Sequence, residues 1–553
     1  MKSLSAFDRL RCKSLARILG LSLLFAVQGS LSAKSAPRVS VGREWFSRAD
    51  DGLLESEKLA ECLMRVEAEK DSFPTALTEK FMLELQAKVH PHDWKKPIRI
   101  QGKARIWEVS FNVQTMDEQG NPEWAPSLFD RLIPASFVKH NGYEGIIKGD
   151  GAGAPFVLAF EDIEELRGQR AFRPSNGLYV AGTVLLDFGK AKATADPKPV
   201  RCRIINTFSP QKAKHEKSRL DLAYNVTAVV EMNLDNPYIR KNGLAGLLRP
   251  GDRMENDTGL FGITAFHPKK TPVVFIHGLD SGPHIWRNAV NEIYRDPELN
   301  ERYVPLLFMY PSGLPVPAAA ERLRKSIQQY RDLWDPKHGS EGFDNMILVG
   351  HSMGGLLTRL QVIDSGDEMW KAFFLVPASE LPWLSDEDQK HLESSLKFKP
   401  LPCVKRAVFV AVPHKGSRVA DSGIVRLAVR LIRLPVETAS YAAQALTDDR
   451  SLLNPALLRF HSLGLRSVDM LSPEHPFFDA ISRCALTTPC HSIIGDRGKP
   501  KGENSTDGIV PYWSSHLPVA ASEEVVPFGH SCTLKSQTVN EITRILRLHA
   551  AIR

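Results

Sequence analysis

The sequence predicts an α/β protein: a mostly parallel sheet with a helical cap insertion in residues 266–553, preceded by a β-rich domain in residues 40–265. From about residue 266, short apolar runs alternate with amphipathic helical segments, which is the pattern of a parallel sheet covered by helices. Before that point, Trp107–Val113 alternates apolar and polar side chains, as half-buried strands do. The chain has 553 residues, 43% of them hydrophobic, so we expect two or three domains with large cores.

Residues 1–33 are typical of a secretory signal peptide. Basic side chains outnumber acidic ones before the apolar run Ile18–Val27, and small residues follow it. That run has ten residues, about half of the roughly 20 that a membrane-spanning helix needs. We therefore expect an exported protein, located in the periplasm, the cell envelope or the extracellular space. No later segment is long and apolar enough to predict a membrane span.

Charge and metal-ligand patterns narrow the class of partner. The leader carries five positive charges and one negative charge, so its removal lowers the formal net charge from +7 to about +3. So small an excess gives no reason to expect a nucleic-acid partner. No C-x-x-C pair or histidine cluster suggests a zinc site, and we expect neither a metal nor an organic cofactor.

Six cysteines follow the leader, and two states are open to them. An exported chain can oxidise its thiols, and Cys484 and Cys490 bracket a short loop that a disulfide could close. The alternative is that the six are free, buried thiols. Six cysteines allow 15 pairings, and spacing does not choose among them.

The first domain is predicted to begin with a helical hairpin and to continue with strands. Residues 53–90 carry two stretches of helical periodicity separated by a proline-containing turn. Strands are predicted within residues 97–235, among them residues 177–188 and residues 222–234, whose apolar runs are rich in β-branched side chains. We interpret this part as a β-rich domain, with a sandwich as one arrangement.

The second domain is predicted to contain six buried strands with helices between them. Residues 411–417 and 491–496 are separated by roughly seventy residues of mainly helical character, too many for an ordinary loop. We interpret residues of about 418–485 as a cap inserted over the sheet edge. The predicted strands are residues 273–278, 304–310, 345–350, 406–412, 491–496 and 523–528.

A serine lies in a glycine-rich turn between a predicted buried strand and a predicted helix. Residues 350–354 read G-H-S-M-G, which fits the G-x-S-x-G pattern in the strand–turn–helix context that the motif requires. Bulky neighbours would clash in so tight a turn, whereas glycines let the chain present the serine hydroxyl at the mouth of a site. Ser352 is therefore the predicted nucleophile, with the helix beginning at Met353 behind it.

A serine hydroxyl needs a base and an orienting acid to become a good nucleophile, and both are predicted later in the chain. Asp507 lies in a turn-rich loop after the strand at residues 491–496, and His530 comes just past the next strand. Both are predicted at carboxyl ends of strands, where sites of α/β proteins lie. The rival acid is Asp496. The rival histidines are His516 and His549. His516 follows the acid loop too closely for the chain to have crossed back over the sheet, and we interpret His549 as a surface residue.

Acyl transfer also needs hydrogen-bond donors for an oxyanion. His277 and Gly278 turn the chain after the first predicted strand of this domain, so the backbone amide of Leu279 is one expected donor. The amide of Met353 is the other. We interpret His277 as a buried, hydrogen-bonded residue that shapes the loop, without a role in proton transfer, and we interpret His351 and His414 in the same way.

Taken together, several segments resemble the α/β-hydrolase superfamily, with most similarity to bacterial lipases and esterases and to relatives of GPI-inositol deacylases. The resemblance extends over residues of about 270–553 and implies a Ser-His-Asp triad of Ser352, His530 and Asp507 that cleaves carboxylic esters without a cofactor. The segments that carry it are "VVFIHGLDSGPHIW", "LVGHSMGGLLTRLQ", "VFVAVPHKGSRVAD", "TDGIVPYWSS" and "FGHS".

Substrate and reaction type stay open at this point. An acyltransferase or a thioesterase would use the same three residues, and a non-catalytic binding or scaffold protein could keep the fold. Residues 422–434 of the insertion combine a broad apolar face with a strip of arginines. Such a helix can lie on an anionic lipid surface or simply pack the cap onto its own body. The first possibility favours lipid-like esters and contact with a membrane surface.

Overall fold

The computed structural model describes the chain from residue 53 to residue 551 with several gaps. The predicted leader at residues 1–33 and the arginine-bearing segment at residues 422–434 lie outside the described residues. None of the described helices is long and apolar enough to span a bilayer. The described ranges are residues 53–114, 129–140, 142–160, 177–188, 196–208, 212–215, 218–234, 258–264, 267–381, 385–417, 450–460, 469–498 and 505–551.

A seven-stranded mixed sheet forms the first part of the described chain. Its strand order is β1-β2-β3-β8-β7-β6-β4; the pairs β1–β2 and β3–β8 are parallel and the other four are antiparallel. Two-residue β5 and β11 pair beside it. The strands are β1 (Leu53–Glu55), β2 (Ile98–Gln101), β3 (Ile106–Gln114), β4 (Arg131–Pro134), β5 (Lys148–Gly149), β6 (Ala154–Phe160), β7 (Leu178–Asp187), β8 (Lys198–Asn206), β9 (Lys212–His215), β10 (Ser218–Asp221) and β11 (Tyr224–Asn225).

Two helices cover one face of this sheet, in the stretch where periodicity predicts a helical hairpin. They are α1 (Glu57–Ala68) and α2 (Thr75–Gln86). The side chain of Ser56 accepts a hydrogen bond from the amide of Leu59 and caps the first of them. Their apolar faces pack on Trp107 and on alternate residues of β6 such as Phe156.

A third helix covers the opposite face, so two expectations for this part are wrong. Residues 222–234 do not form one strand: after the short β11, α3 (Val226–Leu234) begins, with the side chain of Asn225 accepting a hydrogen bond from the amide of Ala228. A buried apolar run cannot be assigned to a helix or a strand by periodicity alone. Within the described residues the domain is also not a sandwich: apart from the two-stranded pairs β9–β10 and β5–β11, it has one seven-stranded sheet, and α3 occupies the face that a second large sheet would need.

A second seven-stranded sheet forms the rest of the described chain. Its order is β12-β14-β13-β15-β16-β17-β18, with β12 antiparallel to β14 and all other pairs parallel. The strand β15 is central, and the carboxyl ends of its neighbours lie at the same edge as its own. The strands are β12 (Gly259–Gly262), β13 (Thr271–Ile276), β14 (Tyr303–Met309), β15 (Met346–His351), β16 (Val404–Val410), β17 (Cys490–Gly495) and β18 (Ser522–Val526).

Helices pack on both faces of this sheet, as the alternating pattern predicts. Leu323, Ile327 and Leu356 lie in the apolar core on one face, and Ile293 and Ile545 lie in the core on the other. The helices are α4 (Arg287–Arg295), α5 (Pro297–Arg302), α6 (Val316–Trp334), α7 (Met353–Arg359), α8 (Glu368–Lys371), α9 (Asp386–Leu396), α10 (Pro476–Arg483), α11 (Tyr512–Ser515) and α12 (Ser536–Ala550).

The described cysteines are all buried and free. Of the two states left open by the sequence, the structure therefore has the thiol form, including at Cys484 and Cys490. Burial raises the pKa of the Cys490 thiol to about 11, so this group stays protonated at neutral pH.

Candidate active site

The central strand of the second sheet ends in a sharp turn that carries Ser352. The strand β15 ends at His351 and α7 begins at Met353, so a single residue connects them. Ser352 has φ 54° and ψ −125°, a conformation that residues with a side chain rarely adopt. Its amide donates to the carbonyl of Val410 at 3.0 Å, and its carbonyl accepts from the amide of Gly355 at 2.9 Å. These bonds hold the strained turn in place.

The glycines of the motif permit the close approach of this turn to the neighbouring strand. A β-carbon on Gly354 would lie 2.8 Å from the carbonyl carbon of Ile276, and it would also collide with the carbonyl oxygen of His277. These are backbone atoms at the end of β13, which cannot move without disturbing the sheet. Gly354 therefore lets α7 begin directly against the loop that follows β13.

Ser352, His530 and Asp507 come together at the carboxyl edge of the sheet. The Nε2 atom of His530 lies 2.9 Å from Oγ of Ser352. The Nδ1 atom of the same ring lies 2.7 Å from Oδ2 of Asp507. The three residues come from the ends of β15, β17 and β18, in the chain order serine, aspartate, histidine that accompanies this type of turn. The second sheet and its turn form an α/β-hydrolase fold.

The carboxylate of Asp507 is held in its ionised form. Its side chain is buried, and burial alone would raise its pKa. The charge and hydrogen bond of His530 act against burial, as do the amides of Val510 and Ile509, which donate to Oδ1 at 2.7 and 2.8 Å. The net result is a pKa below the usual value for aspartate.

An ionised Asp507 fixes the tautomer of His530. A carboxylate only accepts hydrogen bonds, so the proton of the neutral imidazole lies on Nδ1. The Nε2 atom then carries a lone pair directed at the hydroxyl of Ser352. This is the protonation state that a general base for the serine needs.

A second histidine holds the backbone of His530. The Nε2 atom of His351 lies 2.8 Å from the carbonyl oxygen of His530, and the two rings are 4.7 Å apart. Since a carbonyl only accepts, the proton of His351 lies on Nε2. Burial, together with the neighbouring His530, lowers the pKa of His351 to about 3, so the ring is neutral at ordinary pH. His351 therefore acts as a fixed donor to the loop that carries His530.

The loop after β13, which carries Leu279, is fixed by several hydrogen bonds. The hydroxyl of Tyr310 donates to the carbonyl of His277 at 2.8 Å, and Nδ1 of His277 donates to the carbonyl of Gly278 at 2.9 Å. A β-carbon on Gly278 would lie 2.9 Å from Cβ of Ser352, so this loop abuts the serine. Burial lowers the pKa of His277 to about 4, and the ring shapes the loop as a neutral donor.

The backbone on the far side of Leu279 is held as well. The amide of Asp280 donates to Oγ of Ser312 at 3.1 Å. Leu279 is thus fixed on both sides in a loop that lies against Ser352. The other expected donor, the amide of Met353, belongs to the first residue of the helix after the serine. The stacked rings of His277 and Tyr310, 4.5 Å apart, back the same loop.

The rival residues are engaged elsewhere. Asp496 accepts a hydrogen bond from the amide of Gly498 at 2.6 Å and caps its own turn. His516 lies 2.6 Å from Oε2 of Glu523. His549 is buried, so our interpretation of it as a surface residue is wrong: its Nε2 bonds the carbonyl of Asn345, and its Nδ1 accepts from Arg406.

Sequence reasoning missed the side chains that support this site. His351 is adjacent to the serine in the motif, but its contact with the His530 backbone spans the sheet and leaves no local signal. Tyr310 and Ser312 lie just beyond the end of β14. Polar residues at the carboxyl end of a predicted strand were therefore the signal that could have identified them. His414 is buried, as expected, and its Nδ1 lies 3.3 Å from Nη1 of Arg359.

Comparison with solved structures finds bacterial lipases and esterases at low similarity. The mature lipase BlEst2 of Bacillus licheniformis is 17% identical, with 54% of this chain and 96% of that chain covered and a TM-score of 0.29. Esterase B of Lactobacillus rhamnosis, inhibited by a tributyrin phosphonate, is 15% identical over 52% and 78%, with a TM-score of 0.30. Lipase 1 of Pelosinus fermentans is 13% identical over 50% and 98%, with a TM-score of 0.30. No protein-family model and no curated protein matches the chain.

Proposed function

We propose that this protein is an exported serine hydrolase that cleaves carboxylic esters with a catalytic triad of Ser352, His530 and Asp507. One observation carries the proposal: the hydroxyl of Ser352 and the carboxylate of Asp507 bond opposite nitrogens of one imidazole, at 2.9 and 2.7 Å. Both distances lie within the range that proton transfer and orientation require. The strained φ of 54° at Ser352 supports the same role, because strain at a single polar residue is typical of functional sites.

In the first half of the reaction, Oγ of Ser352 attacks the ester carbonyl carbon while its proton passes to Nε2 of His530. The carbonyl π electrons move to oxygen and form an oxyanion. Collapse of this intermediate breaks the bond to the leaving alcohol, which takes the proton from Nε2. The product is an acyl ester on Ser352. Asp507 keeps its charge throughout and stabilises the imidazolium that forms in between.

In the second half, water replaces the alcohol. His530 takes one proton from the attacking water, a second tetrahedral oxyanion forms, and its collapse breaks the bond to Oγ of Ser352. The proton on Nε2 returns to Oγ, and the carboxylic acid leaves. General base catalysis of this kind contributes on the order of 10²–10⁴ in rate.

We assign the oxyanion contacts to the backbone amides of Leu279 and Met353. The loop of Leu279 abuts Ser352 and is fixed by Tyr310 and Ser312, which supports a rigid donor at that point. Loss of one such donor typically costs ~3 kcal/mol of barrier. Because both donors belong to the main chain, the supporting side chains are the positions at which mutation can reach them.

Export and lipid-like substrates belong to the same proposal and rest on the sequence. The basic and apolar pattern of residues 1–33 supports export. The apolar and arginine-bearing pattern of residues 422–434 supports a cap that contacts acyl chains or a lipid surface. A panel of esters with increasing acyl length, offered in solution and in anionic vesicles, tests the second point.

The central experiment combines a fluorophosphonate probe with hydrolysis of p-nitrophenyl esters. We expect the wild-type protein to hydrolyse these esters and to label at Ser352, as mapped by mass spectrometry, and Ser352→Ala to lose both properties. Ser340→Ala is the matched control, because Ser340 is also buried but precedes β15 at the opposite edge of the sheet.

Three outcomes would count against the proposal. A folded wild-type protein that neither labels nor turns over any ester of the panel would leave a binding protein with a hydrolase fold. Acyl transfer to an added alcohol that outruns release of free acid would instead identify an acyltransferase. Equal labelling of the wild type and Ser352→Ala would remove this serine as the nucleophile.

A further inference from the structure

Two histidines and an aspartate lie together in the first domain, remote in sequence from the residues of the triad. We propose that His90, His92 and Asp130 form a binding site for a divalent transition-metal cation of the zinc class. Each residue offers one ligand atom, and the three atoms lie within 4.8 Å of one another. The proposal is independent of the ester chemistry at Ser352.

The two histidines are held by a short, proline-containing turn. His90 precedes the 3₁₀ segment Pro91–Lys95, and its Nδ1 accepts the amide of His92 at 3.2 Å. This bond orients the first ring, and the ring centroids of the two histidines are 4.4 Å apart. The indole of Trp94, stacked on Phe111 at 4.6 Å, anchors the same turn to the sheet. The two imidazoles are therefore presented by a rigid element.

The carboxylate comes from the edge of the sheet. The amide of Asp130 donates to the carbonyl of Ala159 at 2.8 Å, which fixes this residue beside β6 just before β4 begins. Its Oδ1 lies 3.3 Å from Nε2 of His92. The ring of Phe129, next to this aspartate, lies 5.8 Å from the ring of Trp94. Apolar contacts of the neighbouring residues thus bring the aspartate to the histidine turn.

Imidazole nitrogens with a carboxylate oxygen are a donor set that suits zinc and its neighbours in the first transition row. Bonds of about 2.0–2.2 Å from one tetrahedral ion put its ligand atoms roughly 3.5 Å apart. The observed cluster needs about an ångström of side-chain adjustment to reach that spacing. Three protein ligands leave a fourth position for water, and the side chain of His92 is 40% exposed, which gives a cation access.

The sequence alone predicts no metal site, because the proposed ligands do not all lie in one segment. His-Pro-His on its own is only a pair of potential ligands, and the third donor lies on another element. The competing interpretation is an ion pair between His92 and Asp130 that ties the turn to the sheet without a metal. The two interpretations differ in one measurable property, which is stoichiometric binding of the cation.

The test titrates Zn²⁺ into the full chain, free of any histidine tag and pre-treated with a chelator, by isothermal calorimetry. We expect one equivalent to bind. His92→Gln and Asp130→Asn should each weaken the affinity by more than the ~10–100-fold that follows loss of an outer-shell partner. His391→Gln is the matched control, because His391 also faces a carboxylate, that of Glu321 at 4.0 Å, but forms part of no three-ligand group in the described residues.

A second measurement keeps the proposal testable when a variant is less stable. Tetrahedral Co²⁺ absorbs visible light far more strongly than hydrated Co²⁺, and we expect this strong absorption in the wild type and in His391→Gln but not in His92→Gln. Circular dichroism checks that each variant is folded. The proposal is overturned if the wild type binds no Zn²⁺ at millimolar concentration. It is also overturned if the variant that combines His92→Gln with Asp130→Asn binds Zn²⁺ with unchanged stoichiometry and affinity.

Discussion

Alanine in place of Gly355 tests how tightly the turn at Ser352 is built. Gly355 lies in α7 and is buried against Val412, just beyond the end of β16. A β-carbon there would lie 2.9 Å from Cγ1 and 3.0 Å from Cβ of Val412, and it would overlap Cγ2. Valine is β-branched and stiff at χ1, and this one is fully packed, so it cannot simply rotate away. The strand end or the helix must move instead.

The magnitude follows from two opposing effects. Overpacking a well-packed core costs about 1–3 kcal/mol. Replacing glycine by alanine in a helix returns at most about 1 kcal/mol. Because the overlap with Cγ2 is severe, we expect Gly355→Ala to lower the free energy of unfolding by about 1–2 kcal/mol. A displaced α7 also moves the amide of Met353, so kcat for ester hydrolysis should fall while the folded fraction stays high.

A double-mutant cycle isolates the steric cause. Val412→Ala alone removes two buried methyl groups, worth about 1.6 kcal/mol of transfer free energy. In the double variant the new methyl of residue 355 occupies part of the space left by Val412. The double variant should therefore lose less stability than the sum of the two single losses, with a coupling of at least ~1 kcal/mol. Urea unfolding followed by tryptophan fluorescence gives each value. Gly339→Ala is the control, because a β-carbon at Gly339 meets nothing within 4 Å.

The predicted clash is refuted if Gly355→Ala is as stable as the wild type, or if the two substitutions are additive within about 0.3 kcal/mol. Either result would mean that the turn has room to adjust and that the glycine is not required by packing. Recovery of kcat in the double variant, together with stability, would link the packing of α7 to the function proposed for Ser352.

Three further predictions concern the site and its histidines. Asp507→Asn should lower kcat about 10³–10⁴-fold in steady-state ester hydrolysis, because an amide can donate to Nδ1 of the base and stabilise the wrong tautomer; a kcat near the wild-type value would contradict the orienting role. His351→Phe should lower kcat up to about 100-fold with KM little changed, since a buried carbonyl loses its donor at ~1–3 kcal/mol, whereas His351→Gln, which keeps a donor, should recover part of the loss; equal kinetics in both variants would refute this. His277, His351 and His491 have pKa values lowered chiefly by burial, to about 4, about 3 and about 4. The unfolded chain therefore binds more protons below about pH 6.5, and the free energy of unfolding should fall as pH falls, by about 1.4 kcal/mol per pH unit for each histidine down to its folded pKa; urea unfolding at pH 7, 6 and 5 measures the slope, and a flat profile would contradict it.

The sequence predicts the second sheet well because local and global signals agree there. The glycines around Ser352 mark the turn, and apolar runs of strand length mark its neighbours. Chain order then selects Asp507 and His530, since parallel strands bring their carboxyl ends to one edge. The structure places Ser352 and Asp507 within hydrogen-bonding distance of opposite nitrogens of His530.

The sequence fails where burial on all sides removes periodicity or where partners are distant. Val226–Leu234 is a helix although its β-branched residues favour a strand. The sheet and the neighbouring helices bury most of its residues, so the sequence shows little helical periodicity. His549 looks like a surface residue near the end of a helix, yet it bonds Arg406 from another element. His351 contacts the backbone of a residue far along the chain. Such contacts exist only once the sheet has formed.

The neutrality of His351 has a consequence for the proposed chemistry. In the proposed mechanism, His530 becomes positively charged in the transition state, and its ring lies 4.7 Å from that of His351. Two positive charges at that distance would repel each other by about 3.5 kcal/mol at an effective dielectric constant near 20. Burial keeps His351 uncharged, so this penalty does not arise, and the ring can still donate to the loop of the base. The fold thus supplies a polar support beside His530 without a competing charge, and the ionised Asp507 remains the charged partner bonded to the imidazolium.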